Sequence, residues 1–128
     1  MERTAYSGVK NSYIKTPAGR IRYFIFNRYN RRECGETERE SKNTPIQGCN
    51  ADIIKIAMYY VHVALLPYGD RVRIVNVIHD ELNLECPTEI AEEICKLVIY
   101  HMEEAGRVIL KNVPVVAEGA YGSDWSIK

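Results

Sequence analysis

Hydrophobic residues recur at helical spacing in two parts of the chain. Between Asp52 and Leu66 the apolar positions fall three or four residues apart, as on one face of an α-helix, and Pro67 marks its end. A second helix is predicted after Pro87, with Thr88 as its N-cap. The apolar positions of this second helix are Ile90, Ile94, Leu97, Val98, Met102 and Ala105.

Alternating or β-branched segments predict strands elsewhere. One predicted hairpin has a Pro-Ala-Gly turn, and the other turns at His79-Asp80-Glu81. Residues 1–12 are typical of the end of a helix that stops near Gly8, or of a chain end. The polar residues 27–44 predict a loop with a short helical turn at most. The predicted strands lie at residues 13–16, 20–24, 72–78, 82–86 and 113–118.

The order hairpin, helix, hairpin, helix, strand predicts an α+β fold, with antiparallel hairpins, a C-terminal strand and two main helices packed on the sheet. A chain of 128 residues is long enough for one domain with one core. We therefore expect residues 1–128 to form a single domain. Residues 1–44 make its hairpin and loop region, and residues 45–128 contain the helix, hairpin, helix and strand.

Charge is unevenly distributed, although the formal net charge is zero. Residues 1–44 hold ten Lys and Arg against five Asp and Glu, whereas residues 45–128 hold seven against twelve. A basic stretch of this kind suits contact with phosphates, and a solvated basic loop has the same composition. Its cationic residues are Lys10, Lys15, Arg20, Arg22, Arg28, Arg31, Arg32 and Arg39.

The sequence predicts neither a membrane span nor a secretory signal. Lys55 and His62 interrupt the longest apolar stretch, and charge begins at the second residue. The cysteines form no CxxC pair and no zinc spacing, so we expect free thiols in the reducing cytoplasm of a bacterium or a phage-infected cell. Two disulfides are the alternative that the even count allows. The four cysteines are Cys34, Cys49, Cys86 and Cys95.

The triplet His79-Asp80-Glu81 is the strongest candidate for catalysis. A strand turn holds two carboxylates in fixed positions, and phosphoryl-transfer enzymes use such carboxylates to hold two Mg²⁺ ions. Taken alone, the triplet is also explained as a polar turn. Zinc is disfavoured because consecutive strand residues alternate faces. The chain has no G-x-S-x-G, P-loop or dinucleotide motif.

A second candidate site precedes the first predicted helix. Side chains of Arg39, Asn43 and Gln47 can donate hydrogen bonds to the acceptors that every base pair presents in the minor groove. Such contacts test the shape of a base pair without reading sequence. The alternative is a turn and a helix start at Pro45 and Gly48.

Several motifs follow one another in the order found in the carboxyl-terminal part of one enzyme family. They are Thr16-Pro17-Ala18-Gly19-Arg20-Ile21-Arg22, Glu38-Arg39, Asn43-Thr44-Pro45-Ile46-Gln47-Gly48, Ala51-Asp52-Ile53-Ile54-Lys55, His79-Asp80-Glu81-Leu82, and Val113-Pro114 with Gly122 and Trp125. Together they resemble the carboxyl-terminal palm segment, including motif C, of family A (DNA polymerase I-like) DNA polymerases. The chain departs from the family pattern at Val77, where glutamine is usual, and at Cys49-Asn50, where small residues are usual.

The resemblance implies roles for the candidate residues. Asp80 would be a ligand of the two catalytic Mg²⁺ ions in the assembled active site, Glu81 a supporting carboxylate, and His79 a neighbour of the primer terminus. The primer–template contacts would be Arg39, Asn43 and Gln47 in the minor groove, and Arg20 and Arg22 near the backbone phosphates.

The resemblance also implies a partial domain. The family's other metal-binding aspartate and its fingers helix lie upstream of these motifs, and residues 1–37 contain no aspartate. We therefore expect a DNA-directed DNA polymerase that binds deoxynucleoside triphosphates only when a second polypeptide supplies the remaining palm, fingers and thumb. The alternatives are a non-catalytic remnant that binds DNA weakly and an independent module that reuses the fold.

Overall fold

The computed structural model describes residues 2–127, and the chain divides into two compact units, Met1–Asp52 and Ile53–Lys128. We refer to them as the amino-terminal and carboxyl-terminal units. Three α-helices and two separate two-stranded antiparallel sheets are found in the described residues, which confirms the α+β class. The elements are α1 (Glu2–Asn11), β1 (Tyr13–Lys15), β2 (Ile21–Tyr23), α2 (Arg31–Leu65), β3 (Arg73–Ile78), β4 (Glu81–Glu85) and α3 (Ala91–Ile109), with 3₁₀ turns at Leu66–Arg71 and Thr88–Ile90.

The amino-terminal unit contains α1, the β1–β2 hairpin and the first part of α2. The hairpin is the one predicted around the Pro-Ala-Gly turn, where Gly19 takes a positive φ of 92° that favours glycine. Ala5, Ile14 and Phe24 are buried in this unit. The helix α1 continues past Gly8, which lies against the Ser41 side chain, so the expected end of that helix at Gly8 is wrong.

The prediction of a loop over residues 27–44 is wrong, because α2 begins at Arg31. The side-chain oxygen of Asn30 accepts the backbone N–H of Arg32 at 3.1 Å and that of Glu33 at 3.5 Å. The Asn30 amide in turn donates to the Glu33 carboxylate at 2.7 Å, which makes a reciprocal cap. The helix then continues through Pro45.

The predicted C-terminal strand is also wrong. Residues 113–118 form no ladder with any described strand. Instead, the Val115 side chain lies against Gly106 of α3, and the backbone N–H of Ala117 donates to the Glu103 carboxylate at 3.2 Å. One backbone donor of this segment is thus satisfied by a side chain and not by a neighbouring strand.

The carboxyl-terminal unit is built around one hydrophobic cluster. The cluster combines the end of α2, the start of the second hairpin and α3, as the helical stripes predicted. The side chains of Ile74, Leu82 and Leu84 in the hairpin pack against it. Its buried members are Val61, Leu65, Val72, Ile94 and Val98.

The expected N-cap of the second helix is not observed. Thr88 lies inside a 3₁₀ turn, where its backbone carbonyl accepts the N–H of Ala91, and its side chain makes no capping hydrogen bond. The helix α3 has Ile90 at its N-cap position and therefore begins two residues later than predicted. Glu92 and Glu93 still lie in its first turn, where carboxylates favour the positive end of the helix.

One helical region, Arg31–Arg71, contains a stretch that is long and apolar enough to cross a membrane by length and composition. Core helices of soluble proteins pass the same test, and Ala57, Val61 and Leu65 of this helix are buried. The expectation that no segment spans a membrane therefore stays a prediction.

Two glycines of α2 give a test of the contact between the helix and the β1–β2 hairpin. A Cβ at Gly48 would lie 2.5 Å from Thr16 Cγ2, whereas a Cβ at Gly35 would meet nothing within 4 Å. The buried Thr16 side chain cannot easily give way, because its hydroxyl accepts the backbone N–H of Arg20 at 3.1 Å.

We expect Gly48→Ala to lower the free energy of unfolding by about 1–3 kcal/mol through overpacking. The matched control Gly35→Ala should raise it by about 0.5–1 kcal/mol through helix propensity. Urea unfolding followed by circular dichroism measures both. Equal effects at the two positions would contradict the close contact at Gly48.

Candidate functional site

The second hairpin places the candidate catalytic triplet at its tip. Strands β3 and β4 pair with Ile78 opposite Glu81, so His79 and Asp80 form a two-residue turn and Glu81 begins β4. His79 has a positive φ of 52°, in the left-handed region. The predicted turn is confirmed, except that Glu81 belongs to the strand. An irregularity between Ile74 and Asn76 shifts the register nearer the base of the hairpin.

The triplet is exposed, whereas the leucines that follow it in β4 are half-buried. His79, Asp80 and Glu81 are all exposed, whereas Leu82 and Leu84 of the same hairpin are half-buried against the hydrophobic cluster. Asn83, between these two leucines, is half-buried as well, so the whole middle of β4 is shielded while its first residue is exposed. Within residues 2–127 the carboxylates of Asp80 and Glu81 make no side-chain hydrogen bond or ion pair, so their oxygens are open to a ligand.

The donor set suits a hard cation but is incomplete. Carboxylate oxygens are the ligands that Mg²⁺ prefers. However, the part of the chain that the structure describes contains no group of three His, Cys, Asp or Glu side chains placed to hold a metal ion. A metal ion at the tip would need ligands beyond these two carboxylates.

A hydrogen bond in the same unit joins two segments beside the cluster. The hydroxyl of Tyr68, which packs against the cluster, donates to the Glu93 carboxylate of α3. This hydrogen bond raises the pKa of Tyr68 above its usual value, with burial and the Glu93 charge adding to it. The contact links the turn after α2 to the start of α3.

The second candidate set lies on one exposed face of α2. Arg39, Asn43 and Gln47 are four residues apart, a spacing that places side chains on the same side of a helix, and all three are exposed. The structure thus brings together three residues that the sequence placed in a loop and at a helix start. Thr37, Ser41 and Thr44 form the buried face of the same segment.

The two hairpin arginines are bound to acceptors on α2. The Arg20 guanidinium donates to Asp52 Oδ1. Arg22 donates to Glu40 Oε2 at 2.8 Å and to Thr44 Oγ1 at 3.3 Å. Both arginines line an open groove together with Gln47 and Thr44. The sequence expectation for Arg20 and Arg22 was a position near phosphates.

Sequence reasoning missed the role of Asp52. It lies in the Ala51–Lys55 motif at the start of the first predicted helix, and the motifs imply no role for it. A carboxylate on the buried side of a helix needs a cationic partner, because an unpaired buried charge is costly. That signal, together with a nearby basic hairpin, was available in the sequence.

Comparison with known proteins agrees with these motifs. The model of the family described as DNA polymerase family A matches residues 1–127. This chain belongs to DNA polymerase family A. Its resemblance to that family, expected from the motifs, is confirmed.

Family A relatives match this chain over almost its whole length. DNA polymerase I of Bacillus caldotenax is 38% identical over 128 residues, which cover 98% of this chain and 14% of the relative. The thermostable DNA polymerase I of Thermus filiformis is 38% identical over 126 residues, with the same coverage of 98% and 14%. The chain therefore spans about one-seventh of the length of these family A relatives.

A solved structure shows the same similarity in three dimensions. It is the POL domain of Pol1 from M. smegmatis in complex with DNA primer-template and dNTP. The TM-score is 0.73 at 38% identity, and the match covers 80% of this chain and 18% of that one. This level of identity supports a shared family as well as a shared fold.

The left-handed turn residue gives a test of the hairpin tip. A non-glycine residue with positive φ carries a backbone cost of about 1–2 kcal/mol. We therefore expect His79→Gly to stabilise the hairpin by about 1 kcal/mol, which would slow amide hydrogen exchange across β3–β4. His79→Val should have the opposite sign, since β-branched residues resist this region.

Asn83→Gly is the control, because Asn83 lies at an extended position of β4 and glycine there should weaken the strand. Faster exchange in His79→Gly than in the unmodified chain would contradict the left-handed turn. Stabilisation by His79→Gly would indicate that histidine is present for a reason other than stability.

Proposed function

We propose that this chain is the carboxyl-terminal palm piece of a template-directed DNA polymerase, which supplies the motif C carboxylates and contacts to the primer–template. One observation carries the proposal. A chain that belongs to family A presents Asp80 and Glu81 at the exposed tip of a hairpin whose other side is packed on a hydrophobic cluster.

The proposed catalytic role follows from the chemistry of the tip. Asp80 offers carboxylate oxygens to catalytic metal ions, and Glu81 is a supporting carboxylate at the adjacent strand position. His79 lies beside the primer terminus. Bound there, Mg²⁺ would activate the attacking hydroxyl and stabilise the leaving oxygen of nucleotidyl transfer. The packed base of the hairpin holds the carboxylates in place, so that little reorganisation is needed when ligands arrive.

The proposed DNA contacts lie on α2. Arg39, Asn43 and Gln47 share one exposed face, and their donors suit the minor-groove acceptors that all base pairs present. The M. smegmatis relative is described in complex with primer-template and dNTP, which supports DNA and deoxynucleoside triphosphates as ligands of the complete enzyme. Contacts of this type hold a duplex without reading its sequence.

The proposed activity requires a second polypeptide. The described residues hold no group of three side chains placed to bind a metal ion. We propose that the chain is inactive alone and that a partner supplies the remaining palm, fingers and thumb. We place the assembled enzyme in the cytoplasm of a bacterium or a phage-infected cell, where primer–template and nucleotides are present.

Primer extension by the chain purified from its native host tests the proposal. A tagged wild-type chain, isolated gently, should extend a primer with magnesium and four deoxynucleoside triphosphates. The same preparation carrying Asp80→Ala should lose this activity by about 10²-fold or more, because a metal ligand is removed. Recombinant chain alone should show none.

Glu89→Ala is a matched control, since it removes one exposed carboxylate in the same unit outside the hairpin. Equal loss in both variants would point to disrupted assembly rather than a catalytic role. If neither primer extension nor a co-purifying protein is found, the alternative of a non-catalytic remnant that binds DNA weakly is favoured. Extension by the recombinant chain alone would contradict the need for a partner.

A further inference from the structure

Two ion pairs in the amino-terminal unit join the β1–β2 hairpin to α2. The Arg20 guanidinium donates to Asp52 Oδ1. Arg22 donates to the Glu40 carboxylate at 2.8 Å and to the Thr44 hydroxyl at 3.3 Å, and that hydroxyl donates to the Glu40 carbonyl at 2.7 Å. Both hairpin arginines are therefore engaged by acceptors of the same helix.

The two pairs differ in burial, and the difference decides which one matters. The side chains of Arg22 and Glu40 are each about half exposed, and pairs of this kind contribute little. The Asp52 side chain is only 11% exposed, and its Oδ2 is buried with no hydrogen-bond partner among the described residues. Arg20 is thus the cation that compensates a buried carboxylate, and its loss would leave that charge unpaired.

The Arg20–Asp52 pair lies where the hairpin meets the candidate DNA-contacting face. Gln47 lines the same open groove as Arg20 and Arg22. Next to Gln47, Gly48 comes so close to Thr16 that even a methyl group would not fit without a shift. The hairpin therefore fixes the surroundings of Gln47 on one side.

We propose that Arg20 is a positioning residue that acts through Asp52 to hold the hairpin against α2, and so to fix the face carrying Arg39, Asn43 and Gln47. It does not bind a DNA phosphate. Arg39 of that face is exposed and makes no ion pair within residues 2–127, so its charge stays free for contact with the duplex. The inference rests on the proposed function for its ligand, DNA.

Neutralising Asp52 separates the two roles of Arg20, because they require opposite changes in DNA affinity. If Arg20 binds phosphate, Asp52→Asn frees its guanidinium and adds one positive charge, so binding tightens. If Arg20 is a positioning residue, Asp52→Asn releases the hairpin and binding weakens. Glu89→Gln makes the same charge change at an exposed position in the other unit and is the control.

The experiment measures binding of the full chain to a labelled primer–template duplex by fluorescence anisotropy, between about 50 and 200 mM salt. We expect Asp52→Asn and Arg20→Ala each to raise Kd by about tenfold, with the double variant no worse than either single one. The slope of log K against log salt should stay unchanged in all three. Arg39→Ala should reduce that slope by about one.

Arg20→Gln covers the case in which the other variants fail to fold, because it keeps a donor for Asp52 and loses the charge. Tighter binding by Asp52→Asn, or a slope reduced by about one in Arg20→Ala or Arg20→Gln, would overturn the inference and leave the proposed function standing. No binding of the duplex by the wild-type chain would overturn the proposed DNA contacts and the inference with them. Additive effects of Arg20→Ala and Asp52→Asn on thermal unfolding would contradict the inference alone.

Discussion

The hydrophobic cluster of the carboxyl-terminal unit is the contact on which the candidate catalytic hairpin depends. A two-stranded hairpin is marginally stable by itself in water. Here Ile74, Leu82 and Leu84 pack against buried side chains of α2 and α3, and each fully buried aliphatic side chain contributes about 1.5–3 kcal/mol. The paired strands carry the two-residue turn of His79 and Asp80, which is exposed together with Glu81 at the start of β4. The candidate carboxylates thus lie at the end of a hairpin whose strands pack against the cluster.

The parts of the fold that were predictable are those whose buried residues are apolar. The alternation around Leu82 and Leu84 predicted the second hairpin, and the stripe through Val61 and Leu65 predicted the later half of α2. The earlier half was predicted as a loop because its buried face consists of Thr37, Ser41 and Thr44, which are spaced as in a helix but are polar. The prediction of a C-terminal strand was wrong for another reason. Residues 113–118 have the composition of a strand, but a strand requires a pairing partner, which composition does not reveal.

The candidate site was predictable to a similar extent. The turn at His79 and Asp80 followed from two flanking strands, and the motif order indicated the family. The shared face of Arg39, Asn43 and Gln47 could not be predicted while that segment was taken for a loop. The partners of Arg20 and Arg22 depend on how a hairpin packs on a helix, which spacing along the chain does not specify. The pairing of these arginines with Asp52 and Glu40 could therefore not be predicted, and their position near phosphates stays a prediction.

Manganese binding by the chain alone tests most directly whether this piece carries only part of a metal site. Mn²⁺ prefers the same oxygen ligands as Mg²⁺ and is followed by water-proton relaxation. Two exposed carboxylates without further ligands should bind it with Kd of about 10⁻³ M or weaker. Stoichiometric binding with Kd of about 10⁻⁵ M or tighter, lost in Asp80→Asn, would contradict the account, because the chain would then hold a complete site without a partner.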